Sequence, residues 1–219
     1  MTQPDTYVFD AYGTLFDVHS AVARHRALVG PQADRLSGLW RAKQLEYSWV
    51  RALMGAYRDF EALTLEALDF AATQCGGISG EARRALLDAY QTLDAYPDAK
   101  PLLERLQGAG KRTAILSNGS PAMLAAAVSS AGLSPLLDAV LSVDALRTFK
   151  TAPEVYALVG ARFGVEPSAV SFQSSNRWDV AGAAKAGFRA IWVDRSGAPE
   201  EYADLPPAKV VASLAEIPA

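Results

Sequence analysis

Two carboxylates, one ammonium and a set of hydroxyls and amides occupy positions in this chain from which they could do chemistry. Asp10, Ser117 with Asn118, Lys150, and Ser174, Ser175 and Asn176 with Asp179 each follow a short β-rich run, directly or after a short loop. A carboxylate can act as nucleophile or general base, a lysine as its counter-charge, and hydroxyls and amides as donors to an anionic group. Other reactive types carry no such pattern. His19 and His25 lack the neighbouring Cys or carboxylates of a metal site, and Cys75, before Gly76-Gly77, has no adjacent base to activate it. An Asp before Gly-Thr is also an ordinary turn residue, so the elements that position these groups decide between the two readings.

Runs predicted as buried parallel strands cover Thr6–Asp10, Arg112–Ser117, Ala139–Val143, Ala169–Ser174 and Arg189–Asp194. Between them lie helical patterns at Pro97–Ala109, Ser120–Ala131, Pro153–Phe163 and Val180–Ala186, several closed by glycine (Gly110, Gly132, Gly164, Gly187). That alternation predicts an α/β fold with an open, Rossmann-like parallel sheet. Ligands of such sheets bind beyond the carboxyl ends of the strands, so the polar groups above could converge on one crevice. Asp17 to Leu93 has a different texture: no convincing strand, about four helices, and Trp40, Trp49, Val50 and Leu53 near helical spacing. We read residues 17–93 as a helical cap subdomain inserted into a core formed by residues 1–16 and 94–219, with the cap over the crevice.

Bulk properties narrow the partner. A chain of 219 residues, half of them apolar, with a formal charge of −3 and no Lys/Arg stripe, argues against nucleic acid or an anionic membrane and for a small-molecule substrate. The single cysteine and the lack of a basic-then-apolar leader lead us to expect a cytoplasmic protein. The most apolar stretch, Leu124 to Leu141, is interrupted by Gly132, Pro135 and Asp138 and does not suit a membrane span. Gly108-Ala109-Gly110-Lys111-Arg112 is not a phosphate loop, because Arg105 and Arg112 stand where its first Gly and its Ser/Thr belong.

The segment Phe9-Asp10-Ala11-Tyr12-Gly13-Thr14-Leu15 resembles the first motif of the haloacid dehalogenase superfamily. Leu116-Ser117-Asn118-Gly119, Lys150, and Ser174-Ser175-Asn176-Arg177-Trp178-Asp179 follow in the order of its later motifs, so the resemblance covers essentially the whole chain. Tyr12, the Ser-Ser-Asn-x-Trp-Asp form and the cap segment Leu39 to Tyr47 resemble the L-2-haloacid dehalogenase branch. Phosphatases of the superfamily carry a second Asp two residues after the nucleophile and late acids that help hold Mg²⁺. Here Tyr12 and Ser174, Ser175 and Asn176 stand instead, leaving Asp179 alone. A halide leaves without protonation, so displacement at carbon needs neither the acid nor the metal.

The resemblance implies roles. Asp10 attacks C2 of an L-2-haloacid to form an aspartyl ester, with Lys150 as counter-charge and Thr14 orienting the carboxylate. Ser117 and backbone N–H groups near Tyr12 and Ser117 receive the substrate carboxylate. Arg41 and Asn118 cradle the departing halide, Phe60 and Leu45 form a dry wall, and Trp178 is a further substrate contact. Asp179, held by Ser174, Asn176 and Tyr156, directs water at the ester. A D-2-hydroxy acid results without metal or other cofactor, haloacetates including fluoroacetate are further candidate substrates, and the resemblance suggests a homodimer. The chain departs from the pattern at Thr151, where relatives commonly have Pro, and at Gln173, where a small apolar residue is usual. A Mg²⁺-dependent phosphatase is the alternative enzyme, and a non-catalytic acid binder the alternative outside enzymes.

Overall fold

The structure, a computed structural model, describes residues 4–219. Strand β1 (Thr6–Phe9) opens it, and all four of its residues are buried. Five helical segments follow: α1 (Ser20–Arg24), α2 (Arg26–Val29), α3 (Ala33–Met54), α4 (Phe60–Gln74) and α5 (Gly80–Gln91). Then come α6 (Ala99–Gly108), β2 (Arg112–Ser117), α7 (Pro121–Ser130), β3 (Ala139–Ser142), α8 (Pro153–Phe163), β4 (Val170–Ser174), α9 (Arg177–Lys185), β5 (Arg189–Val193) and β6 (Lys209–Val211). The strands form one sheet in the order β3-β2-β1-β4-β5-β6, with every neighbouring pair parallel. Strand order reverses at β1, between β2 and β4. A crevice therefore opens beyond the carboxyl ends of β1 and β4, where Asp10 and Ser174 to Asn176 stand.

Local chemistry sets the helix boundaries. Asp59, Ser79 and Ser120 cap α4, α5 and α7 by accepting the backbone N–H of Ala62, Ala82 and Met123. Gly55 closes α3 in the left-handed region, with φ of 65°. The chain leaves the sheet and returns at one place: Phe16 bridges Ala95 in antiparallel register, and the Asp17 N–H donates to the Asp94 carbonyl over 2.8 Å. Everything between is helix and connecting loop.

Several expectations are corrected. The inserted segment has five helical pieces instead of about four, because α1 and α2 are single turns too short to give a period. Of the four apolar residues at helical spacing on α3, only Trp40 is buried; Trp49, Val50 and Leu53 face outward, Leu53 at 89% exposure. Strand β6 carries no sequence signal, because it has only three residues, two of them exposed. Edge strand β3 is half-buried instead of fully buried. Helix α9 begins at Arg177, earlier than the apolar pattern from Val180 suggests, which puts Asp179 in its first turn. No helix among the described residues is long and apolar enough to cross a membrane.

Candidate active site

Asp10 sits on the first residue after β1, and its N–H donates to the Gln173 carbonyl of β4 over 2.9 Å, so the two central strands fix its backbone. A tight turn follows, in which the Ala11 carbonyl accepts from Leu15 and Phe16 at 2.9 and 3.0 Å. Gly13 adopts φ of 95° there, a conformation that disfavours any side chain. The turn brings Thr14 back onto the carboxylate: its hydroxyl donates to Asp10 Oδ2 over 3.2 Å while accepting the Ser175 N–H over 2.8 Å. Asn176 Nδ2 donates to the same Oδ2 over 2.7 Å and to the Tyr12 carbonyl over 3.1 Å.

Lys150 completes the cluster. Its Nζ donates to Asp10 Oδ1 over 2.9 Å and to Asp179 Oδ2 over 2.7 Å. Tyr156 donates to Asp179 Oδ1 over 2.8 Å. Asp10, Lys150 and Asp179 are respectively 5%, 1% and 0% exposed. The ammonium thus lies between the two carboxylates and donates to both. The Lys150 N–H donates to Asn118 Oδ1 over 2.9 Å, which pins the loop, and the Lys150–Thr151 peptide is cis. Among the described residues no three His, Cys, Asp or Glu side chains gather as a metal-binding group.

Burial raises Asp179 to about 6, with Lys150 opposing the rise and the Asp10 charge adding to it. Burial depresses Lys150, but the two facing carboxylates outweigh it and the group ends above its usual value. The shifts of Lys150 and Asp179 are linked, because the charge of each is part of the environment of the other. Burial also pushes the Tyr156 phenol well up, reinforced by the Asp179 charge, so Tyr156 stays a hydrogen-bond donor.

Two expected partnerships are different. The Asn176 side chain does not hold Asp179; its amide donates to Asp10 and Tyr12, and its Oδ1 accepts from Arg41 over 3.4 Å. Ser174 does not hold Asp179 either, since its hydroxyl accepts the Asn176 N–H over 3.1 Å. Tyr156 and Lys150 do that work. The physical reason is the early start of α9, which turns Asn176 back toward β1 and leaves Asp179 to face α8.

Arg41 of α3 reaches across and donates to the Tyr12 carbonyl over 3.1 Å, so residues from both parts of the chain meet above Asp10. Ser117 is fully buried, and its Oγ accepts the Gly119 N–H over 3.1 Å, leaving the hydroxyl proton to donate elsewhere. The Tyr12 ring packs 5.9 Å from Phe60, which is 1% exposed. Leu45 is half-buried on α3, four residues beyond Arg41 and so on the same face. Trp178 is partly exposed and meets the Trp49 ring edge-on at 5.4 Å, tying α9 to α3.

The model of the haloacid dehalogenase-like hydrolases matches residues 4–187. This chain belongs to the haloacid dehalogenase superfamily, in its L-2-haloacid dehalogenase branch. It is 48% identical over 212 residues to (S)-2-haloacid dehalogenase 1 of Pseudomonas sp. (strain CBS-3), covering 96% of this chain and 93% of that one. It is 49% identical over 214 residues to (S)-2-haloacid dehalogenase 4A of Burkholderia cepacia, covering 96% and 91%. The structure of L-2-haloacid dehalogenase from Xanthobacter autotrophicus with chloropropionic acid covalently bound superposes with a TM-score of 0.88 at 41% identity, covering 97% of this chain and 96% of that one.

In this haloacid dehalogenase, two glycines and an ion pair also shape the site; Gly119 belongs to the Leu116-Ser117-Asn118-Gly119 motif, whereas Gly182 and the Arg195–Asp98 pair lie outside the sequence motifs. A Cβ on Gly119 would lie 2.8 Å from Tyr12 Cε2. One on Gly182 would collide with the Tyr156 hydroxyl and lie 2.9 Å from its Cζ, displacing the donor to Asp179. The available signal was a glycine inside α9, which costs about 1 kcal/mol against alanine and so asks for a packing reason. Arg195 donates to the Thr14 carbonyl over 3.1 Å and pairs with Asp98 at 2.9 Å, bracing the turn that carries Thr14. No local pattern links Arg195 to residue 14.

Proposed function

We propose that the chain is a metal-independent hydrolytic dehalogenase that converts L-2-haloacids, that is (S)-2-haloacids, to D-2-hydroxy acids and halide through an ester on Asp10. The observation that carries this is the bridge of Lys150 between Asp10 and Asp179, together with a tyrosine where a phosphatase needs its proton donor. An Asp10 carboxylate oxygen attacks C2 from the side opposite the halogen, and the carbon–halogen bond breaks with its electron pair leaving on the halide. Arg41 and Asn118 receive that anion, Ser117 and nearby backbone N–H groups hold the substrate carboxylate, and Phe60, Leu45, Tyr12 and Trp178 line the pocket. Water then attacks the ester carbonyl of Asp10, giving its proton to Asp179. The bond from the Asp10 carbonyl carbon to the product oxygen breaks, that oxygen takes up the proton held by Asp179, and the regenerated Asp10 carboxyl releases its remaining proton to solvent. C2 is inverted once, because the second step occurs at the enzyme's own carbon.

The electrostatics order the two steps. Before attack, Asp10 and Asp179 repel one another across Lys150, and this repulsion contributes to the raised Asp179. Ester formation removes the Asp10 charge and leaves Lys150 to Asp179 alone, which favours an ionised base when water must be activated. Ester hydrolysis should therefore lose rate on the acid side, with its midpoint below the value of about 6 that burial gives Asp179 in the free enzyme. Single-turnover rates of ester breakdown across pH measure this. A midpoint above neutrality contradicts Asp179 as the base.

Residues 17–93 act as the cap, and the near-complete burial of Asp10, Lys150 and Asp179 means that substrate enters when cap and core part. Haloacetates, fluoroacetate included, fit the same scheme with a less hindered C2. The exposed Val50, Leu53 and Met54 at the end of α3 offer an apolar strip for a homodimer, and the cytoplasm suits the lone thiol. Halide release from (S)- and (R)-2-chloropropionate, assayed separately with EDTA, tests the proposal. Release from the (S)-acid alone is expected. Failure with both, together with Mg²⁺-dependent hydrolysis of a phosphate monoester, contradicts it.

A further inference from the structure

Between α3, α4 and α5 lies a buried polar chain that the mechanism does not use. Gln44, Thr64 and Tyr90 are 1%, 3% and 2% exposed. The Tyr90 hydroxyl donates to Gln44 Oε1 over 3.2 Å, Gln44 Nε2 donates to Thr64 Oγ1 over 3.0 Å, and the Thr64 hydroxyl donates to the Phe60 carbonyl over 2.8 Å. Trp40 Nε1 donates to the Thr64 carbonyl over 2.9 Å. Placing four polar groups in an apolar helix junction costs free energy that apolar residues of similar shape would not, so a role beyond packing is the question to ask.

The chain ends against the reacting groups. Gln44 is one turn beyond Arg41 on α3 and shares its face. The Tyr90 ring stacks on Tyr12 with centroids 5.8 Å apart and planes at 16°, and the Trp40 ring packs against the Tyr90 ring at 4.9 Å, tilted by 46°. Tyr12 is the residue whose carbonyl accepts from Arg41. Burial raises the Tyr90 phenol, and the Arg41 charge opposes that rise, which places the guanidinium within electrostatic reach of the hydroxyl.

We propose that Tyr90 is a positioning residue that sets where Arg41 stands, through its ring on Tyr12 and its hydroxyl on Gln44. The inference rests on the reading that Arg41 receives the departing halide. Misplacing a charge-stabilising group costs rate in proportion to the charge that develops near it. Loss of the Tyr90 hydroxyl should therefore penalise chloride, the poorer leaving group, more than bromide.

Tyr90→Phe keeps the ring and deletes the hydroxyl; Gln44→Leu removes its acceptor. The measurement is kcat/KM for (S)-2-chloropropionate and (S)-2-bromopropionate, which covers steps up to irreversible carbon–halogen cleavage, alongside thermal unfolding. Each variant is expected to lose roughly tenfold on the chloro acid and clearly less on the bromo acid, so that the bromo-to-chloro ratio rises. The double variant should fall short of the product of the two single losses, because both act through one contact. An unchanged ratio, with or without a loss of stability, overturns the proposal by reducing Tyr90 to packing. Wild-type enzyme that releases no halide from either acid would instead overturn the functional reading on which it rests.

Discussion

Asp10→Asn is expected to abolish halide release, by on the order of 10⁴-fold or more, while the protein keeps its fold. The two halves of that result have separate causes. An amide is a far poorer nucleophile than a carboxylate, and no other group among the described residues stands in the same place: Thr14, Lys150 and Asn176 all direct donors at Asp10. The fold survives because the buried trio of two carboxylates and one ammonium carries an excess negative charge, and neutralising Asp10 leaves Lys150 matched to Asp179. Halide assays with thermal unfolding on a preparation free of deamidation check both halves. Substantial residual turnover would remove Asp10 from the centre of the mechanism.

Lys150→Met has a different signature, in which stability falls with activity. Its ammonium is the cation between two buried carboxylates. Removing one partner of a buried ion pair leaves uncompensated charge and costs about 3–5 kcal/mol. The sign with pH follows from Asp179, whose pKa is already raised by burial and loses the opposing effect of Lys150. An acid with a raised folded-state pKa gives up stability as pH rises through that value. The variant should therefore be least stable in alkali and recover toward acid. Activity should fall by roughly 10²–10³-fold or more, as on removing one preorganised electrostatic group. Denaturant unfolding at acid and alkaline pH reports the pattern, and a pH-independent loss would contradict the placement of Lys150 between two ionisable carboxylates.

Much of the site was legible because its residues sit where strands end, a position that apolar β-rich runs mark clearly. Asp10, Lys150 and Asp179 follow such runs, and the sheet brings them together as the alternation of strands and helices implies. Partnerships were less legible than positions. Asn176 and Asp179 are three residues apart, yet one faces Asp10 and the other Lys150 and Tyr156. That division depends on where α9 starts, which the pattern placed too late. The buried links among Gln44, Thr64 and Tyr90 span up to 46 residues between helices, and amphipathic periodicity does not encode which polar side chain crosses from one helix to another. Strand β6 and the contact of Arg195 with Thr14 were hidden for the same reason: they are tertiary facts without a local period.

The most direct test of the account follows the oxygen atoms. With enzyme in excess over (S)-2-chloropropionate in water enriched in heavy oxygen, a single turnover should place the label in the Asp10 carboxylate, detectable by mass in the peptide that contains it. The hydroxy acid formed should carry unlabelled oxygen taken from Asp10. Label in the product hydroxyl with none in Asp10 would mean that water attacks C2 directly, and the aspartyl ester would have no place in the reaction.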